Sequence, residues 1–335
     1  MKTVTILVMI AGLLLGTALV GYFGVGDVAH ALFAVRWTGF LAIVAYHLAG
    51  IALLGFCWYL LAPQAASLST FMWGRLIRDS GSEVLPLSQL GGFVMGARAA
   101  TLLGLPGAIA FASTIIDVTM ELLGQLGYTA LGLGILARLK PDNPLIGWTA
   151  LGMGIALVAA IGFIIVQRRG LGPIERAVRR VTNRWVKGTS LQSSSLDHEI
   201  GTIYRRRGAL CLASLLHLMA WVASSVEAWF ALHLMGADLG IGPVIVIESL
   251  LYAIRGVAFA VPNALGVQEG AYIMLGAAFG LTPETALALS LLKRARDLVI
   301  GVPALLAWQF LEGRRLLAGP IVAANSAAEL RQDSR

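Results

Sequence analysis

Long apolar runs alternate along this chain with runs that proline, glycine and charge interrupt. Six keep their apolar pattern for the ~20 residues that a helix needs to cross a bilayer: residues 4–23, 38–61, 107–136, 145–167, 208–236 and 282–312. Four stretches do not. Residues 63–82 carry Arg75, Arg78 and Asp79, and residues 85–105 carry Pro86, Gly91, Gly92, Gly96 and Arg98. Residues 243–260 carry Glu248 and Arg255, and the stretch from 261 places Pro262, Asn263, Gly266, Gln268, Glu269 and Gly270 close together. Irregular backbone at membrane depth is tolerated only where protein or a watery cavity satisfies its N–H and C=O groups. The interrupted stretches are therefore predicted to be weak or broken helices inside the protein.

The first run has the outline of a secretory signal, with Lys2 ahead of it and Ala29-His30-Ala31 after it. It is longer than the about 7–15 residues of a signal core, which predicts a retained first helix.

The order of elements then repeats. An offset of 176 residues lays 38–61 on 214–237, 107–136 on 283–312, Pro86 on Pro262, and Glu121 on Asp297. If each weak-plus-broken pair returns to the side it entered from, the two repeats enter from opposite faces. The prediction is an all-α polytopic membrane protein with about six full spans and two opposed re-entrant or broken hairpins. Such inverted-topology repeats let transporters place a binding site near the midplane. One integral membrane domain is expected over 1–318, with repeats at about 38–136 and 214–312, a basic linker at 168–207 and a polar tail at 319–335.

Composition and charge sharpen this picture. With 58% hydrophobic residues, 13% charged and a mean hydropathy of +0.80, the chain is written for lipid. The linker holds ten lysines and arginines against three acids, which equals the net charge of +7, so the remainder sums to zero. By the positive-inside rule the linker is cytoplasmic. Both termini then fall on that side, and the bacterial inner membrane is the expected location. Apolar runs on both sides argue against nucleic-acid binding. Within the linker Ile174, Val178, Val181 and Trp185 recur at helical spacing opposite Arg176, Arg179, Arg180 and Arg184. This suits either an amphipathic helix on anionic headgroups or a solvated linker helix. Cys57 and Cys211 lie in apolar runs, and no CxxC, HExxH or GxxxxGK[ST] occurs, so no metal or cofactor is expected.

Pro262, Gly266, Val267 and Glu269 form a Pro-x-x-x-Gly-Val-x-Glu motif, followed after a small-residue helix by Lys293, Arg294 and Arg296. In this the chain resembles the flippase-like family represented by the membrane part of lysylphosphatidylglycerol synthases, over nearly its whole length. The phrasing LPLSQLGGFVMGARAATLLG together with QEGAY is most similar to the subgroup associated with hopanoid biosynthesis. The first half departs from the family pattern. No glutamate follows Pro86, and Asp117-x-x-x-Glu121 stands where Glu-Arg-x-x-Asp is usual. The resemblance does not extend to the synthases' soluble aminoacyltransferase domain, so their lipid-aminoacylating activity is not expected.

Charge at membrane depth costs at least about 2.5–3.5 kcal/mol per residue at a helix centre. Asp117, Glu121, Glu227, Glu248, Glu269 and Asp297 are nearly balanced by Arg98, Arg255, Lys293, Arg294 and Arg296, which predicts mutual pairing. Glu269 leads the candidates, because Gly266 and Gly270 free the backbone around it to approach a ligand. The alternative is that it pairs with a neighbouring arginine and holds its hairpin shut. With Gln268, Asn263, Arg98, Arg255, Lys293, Arg294, Arg296 and Asp297 it makes the expected binding and translocation set, the arginines suiting a phosphate. Asp117 and Glu121 share a helix face at i, i+4. They either form ion pairs or share a proton. Pro86, Gly91, Gly92, Pro262, Gly266 and Gly270 are the expected hinge positions. His47, His217 and His233 read as packed, hydrogen-bonded histidines.

The resulting expectation is a lipid transporter, not an enzyme, moving a polar or anionic lipid, with hopanoids or isoprenoids included. Two alternatives stand beside it: a non-catalytic partner of lipid- or hopanoid-biosynthesis proteins docked through 168–207, and an integral-membrane enzyme using Asp117 and Glu121 on a lipid headgroup.

Overall fold

The computed structural model describes residues 24–62, 64–85, 89–169, 193–258 and 261–332, together with 14, 17, 18, 21 and 22; for 89, 169, 193–195, 262 and 315–332 it describes the backbone only. Most of the first apolar run, Pro86, and linker residues 170–192 with their amphipathic pattern lie outside the described residues.

Eleven α-helices and no strand occur among the described residues. They are α1 (Val25–Ala34), α2 (Arg36–Leu61), α3 (Leu68–Val84), α4 (Gln89–Leu102), α5 (Gly107–Leu139) and α6 (Leu145–Arg169), then α7 (Ser193–Arg205), α8 (Arg207–Leu234), α9 (Ile241–Val257), α10 (Val267–Ala277) and α11 (Pro283–Gln332). Four of them, α2, α5, α6 and α8, are long and apolar enough to cross a membrane. The charged helices are short: α3 and α9 have 17 residues each, α4 has 14 and α10 has 11. All fall below the ~20 residues of a spanning helix.

The outer surface explains the composition. Ile155 and Val158 of α6 are 65% and 71% exposed, and Phe310 of α11 is 62% exposed. Large apolar side chains turned outward on several helices are what a lipid solvent asks of a surface.

Two large apolar cores hold the helices together. Trp58, Phe71, Ala97, Ala112 and Ile116 join α2, α3, α4 and α5, and Leu196, Ile200 and Ile203 of α7 pack with them. Val246, Leu250, Tyr272, Leu275, Leu289 and Leu292 join α9, α10 and α11, with Leu232 of α8. A third cluster, Ile77, Met95 and Leu102 against Leu305 and Trp308, ties the α3–α4 pair to α11.

Small residues set how near these helices approach. A Cβ on Gly96 of α4 would lie 2.5 Å from Arg78 Cβ and 2.7 Å from the Gly74 carbonyl, and one on Gly92 would overlap Ser82. On α5, a Cβ at Gly124 would sit 2.9 Å from the backbone of α8. Here the expected hinge at Gly91 and Gly92 needs correction. Helix α4 runs unbroken through both, and Gly92 is required by the close seam with α3, not by a bend.

The second hairpin does break. Between α9 and α10 the backbone passes through a 3-10 turn at Pro262–Ala264, with Asn263 at φ 50°, Ala264 at φ 45° and Gly266 at φ 77°. Three left-handed residues this close together end any helix, and two of them carry a Cβ that disfavours the conformation. The helix resumes at Val267, so Gly270 lies inside α10 and not at the break.

Candidate functional site

Helices α2, α3, α4, α5, α8, α9 and α11 line a cavity of about 340 Å³ between the two halves. At ~30 Å³ per water, that is room for about ten waters or a small headgroup. Its walls mix apolar side chains such as Leu54, Phe93 and Leu122 with an unusual density of charge. Three groups of ion pairs border it.

The first group belongs to α3 and α5. Arg75 Nη2 donates to Glu121 Oε1 at 2.9 Å, and its Nε donates to Asp79 Oδ2 at 2.9 Å. Arg78 Nη1 donates to Asp117 Oδ2 at 2.6 Å, and its Nη2 to Glu121. Asp117 is fully buried, and its other oxygen lies 3.1 Å from His217 Nε2 on α8. Two arginines at i, i+3 on α3 thus meet two carboxylates at i, i+4 on α5, a fit of spacing as well as sign.

A second group sits opposite. Arg296 of α11 is held by Glu227 of α8 and by Asp297 Oδ1 at 2.6 Å. His47 Nδ1 of α2 lies 3.0 Å from the other oxygen of Glu227. The third group bridges the hairpins. Arg255 Nη2 of α9 donates to both carboxylate oxygens of Glu83 on α3, at 2.9 and 2.8 Å, and Asn263 Nδ2 donates to the Glu83 carbonyl at 2.5 Å.

The sequence-predicted set divides between this cavity and two places away from it. Arg255, Arg296, Asp297 and Glu121 line the cavity, and Asp117 backs it through Arg75 and Arg78. Glu269, Gln268, Lys293 and Arg294 are not among its lining residues. Glu269 is buried and fully engaged: it accepts from the Gly266 N–H at 2.8 Å, from Ser290 at 3.1 Å and from Arg294 Nε at 2.6 Å. Its carboxylate occupies the N-terminus of its own helix α10, where the exposed N–H groups favour negative charge. Gln268 Nε2 donates to Ser290 at 2.9 Å. Of the two readings of Glu269, the geometry is that of a strut between α10 and α11. Lys293 Nζ donates to Glu248 Oε2 at 2.5 Å, and Tyr272 donates to Glu248 Oε1 at 2.6 Å. Arg98 stands apart with Glu312 at 2.7 Å.

Arg75, Arg78, Asp79, Glu83, His47 and His217 are cavity residues absent from the sequence-predicted set. Arg75, Arg78 and Asp79 were legible only as flaws in an apolar run. Their spacing, matched to Asp117 and Glu121, was the signal available. His47 and His217 are hydrogen-bonded to acids, in keeping with the reading of packed, bonded histidines. Among the described residues no group of three His, Cys, Asp or Glu side chains has the geometry to hold a metal ion.

Chemically, the cavity offers paired charges of both signs to a polar guest and apolar walls beside them. No curated protein matches the chain. The family model of the lysylphosphatidylglycerol synthase TM region matches residues 9–304, which takes in every cavity residue named above. The chain therefore belongs to the family of the lysylphosphatidylglycerol synthase TM region, multi-pass membrane proteins concerned with lipid.

Proposed function

We propose that this protein moves a polar or anionic lipid across the bacterial inner membrane, without catalysing a reaction. The headgroup passes through the charged cavity while the acyl or polycyclic tail stays in the bilayer. One observation carries the reading: a cavity lined by Arg75, Arg78, Arg255 and Arg296 with their acids, inside a chain whose outer surface is apolar. A headgroup leaving water needs such partners, because unpaired charge in hydrocarbon is costly.

The two halves support an opposed arrangement of hairpins. Each contributes a long helix and a short charged helix to the cavity wall, α5 with α3 and α11 with α9. In an inverted-topology repeat these elements exchange roles as the cavity opens first to one face and then to the other. The basic linker at 168–207 then lies on the cytoplasmic side with both termini. The similarity of residues 85–104 and 268–272 to the hopanoid-associated subgroup makes hopanoids a candidate cargo.

The test is reconstitution of the full chain into liposomes carrying a fluorescent phosphatidylglycerol, a zwitterionic lipid or a hopanoid. Accelerated movement of at least one lipid between leaflets is expected. Lipid movement no faster than in protein-free vesicles for all three would refute the proposal.

A further inference from the structure

The two charge clusters facing the cavity share an imbalance that transport alone does not require. In the α3–α5 cluster, Arg75 and Arg78 face Asp79, Asp117 and Glu121, so with the acids ionised one negative charge is in excess. In the cluster opposite, Arg296 faces Glu227 and Asp297, again with one negative charge in excess. The remaining cavity pair, Arg255 with Glu83, is balanced. Each unbalanced cluster contains one histidine bonded to one of its acids: His217 to Asp117 and His47 to Glu227.

His217 carries a second mark. Its side chain is fully buried, Nε2 is spent on Asp117, and Nδ1 has no hydrogen-bond partner among the described residues although the ring lines the cavity. A buried polar atom left unpaired costs ~1–3 kcal/mol. With Nε2 donating to Asp117, the neutral ring holds a bare lone pair at Nδ1, and the protonated ring an N–H. The groups facing His217 are Arg75, Arg78 and Asp79 of α3 and Asp117 and Glu121 of α5, with Cys57 of α2 near the same acids. Those facing His47 are Glu227 of α8, Arg296 and Asp297 of α11, Glu83 of α3 and Arg255 of α9, with Tyr46 on its own helix and Tyr252 of α9. On both sides the local charge balance is acidic.

We infer that His47 and His217 are a pair of proton-binding sites that set the charge of the cavity, one for each half. The inference rests on the transport reading above and adds its coupling. With both rings neutral the cavity carries two excess negative charges and repels an anionic headgroup. Two protons, one on each imidazole, bring it to neutrality, and the Nδ1–H of His217 becomes a donor with no competing acceptor. Release of those protons on the other side restores the excess charge and expels the headgroup. An anionic lipid would then move with protons, in the direction that a proton gradient drives.

Two measurements on the full chain test this separately from lipid movement itself. The first is the 15N spectrum of histidine-labelled protein in lipid nanodiscs across pH. Both cavity histidines should change protonation state within the pH range in which the protein stays folded. His47→Gln and His217→Gln should each remove one titrating signal. Should either variant fail to fold, a triple variant replacing His30, His198 and His233 with glutamine leaves only the two cavity rings to report. The second is proton uptake into vesicles of phosphatidylcholine with fluorescent phosphatidylglycerol. Lipid movement should carry protons and respond to a pH gradient, and the His47→Gln/His217→Gln pair should lose that response. A cavity histidine that stays neutral at every pH where the protein is folded overturns the inference. So does phosphatidylglycerol movement indifferent to the gradient. Absence of any lipid movement counts against the transport reading, while the nanodisc titration still decides the proton sites.

Discussion

Asp117 and Lys293 are each the eleventh residue of a long helix, α5 and α11, and carry opposite charges. Each reaches from a long helix to the short helix that precedes it in its half: Asp117 to Arg78 of α3 at 2.6 Å, Lys293 to Glu248 of α9 at 2.5 Å. The acid stands on the long helix in one pair and on the short helix in the other, and each pair ties a short helix to a long one. Breaking such a buried pair leaves an uncompensated charge and costs ~3–5 kcal/mol, whereas replacing both partners is often neutral.

The first prediction follows from that asymmetry. Lys293→Met alone should destabilise the protein by about 3–5 kcal/mol, because Glu248 is left charged and buried. Glu248→Gln/Lys293→Met should recover most of the loss, since glutamine still offers Tyr272 an oxygen. Denaturant unfolding in detergent micelles, run as a double-mutant cycle, gives the coupling directly.

Glu269 yields a second prediction that separates a strut from a transport group. Glu269→Gln should lower stability by about 3 kcal/mol through the stranded Arg294. Glu269→Gln/Arg294→Gln should regain stability and lipid movement together. If the double variant is stable but moves no lipid, Glu269 or Arg294 acts on the cargo and the strut reading is wrong.

The seam between α3 and α4 gives a third. Gly92→Ala should cost about 1–3 kcal/mol, as overpacking does when neither side can yield, since a Cβ there meets Ser82 and the Arg78 carbonyl. Gly134→Ala on α5 is the control. Nothing lies within 4 Å of its Cβ position, and the change should gain up to about 1 kcal/mol from helix propensity. Thermal unfolding of both variants in one detergent checks the pair.

These predictions show where the sequence was readable. The long apolar helices were legible because a bilayer demands an unbroken run, and α2, α5, α6 and α8 each supply one. The break at Pro262–Ala264 was legible because proline and glycine concentrate there. The same logic misread Gly91 and Gly92. Glycine marks both a bend and a close helix contact, and only the approach of Ser82 and Arg78 tells them apart. The cavity was the least legible part. Arg75 and Arg78 meet their carboxylates 39 to 46 residues further along the chain, and Arg255 meets Glu83 across 172 residues. Nothing local in the sequence of α3 announces those partners, so its arginines read as defects of a span.

Arg255 provides the most direct test of the central claim, because it lines the cavity without being locked in the core. Its side chain keeps 13% exposure and that of Glu83 30%, so Arg255→Ala should cost about 1–3 kcal/mol in stability, less than breaking a fully buried pair. The decisive measurement is the rate of fluorescent phosphatidylglycerol movement between leaflets in proteoliposomes, wild type against Arg255→Ala at matched folded protein. A cavity that carries the headgroup predicts rapid movement in the wild type and a loss of at least about tenfold in the variant, the effect of ~1.4 kcal/mol on the path. Equal rates for the two proteins would contradict it.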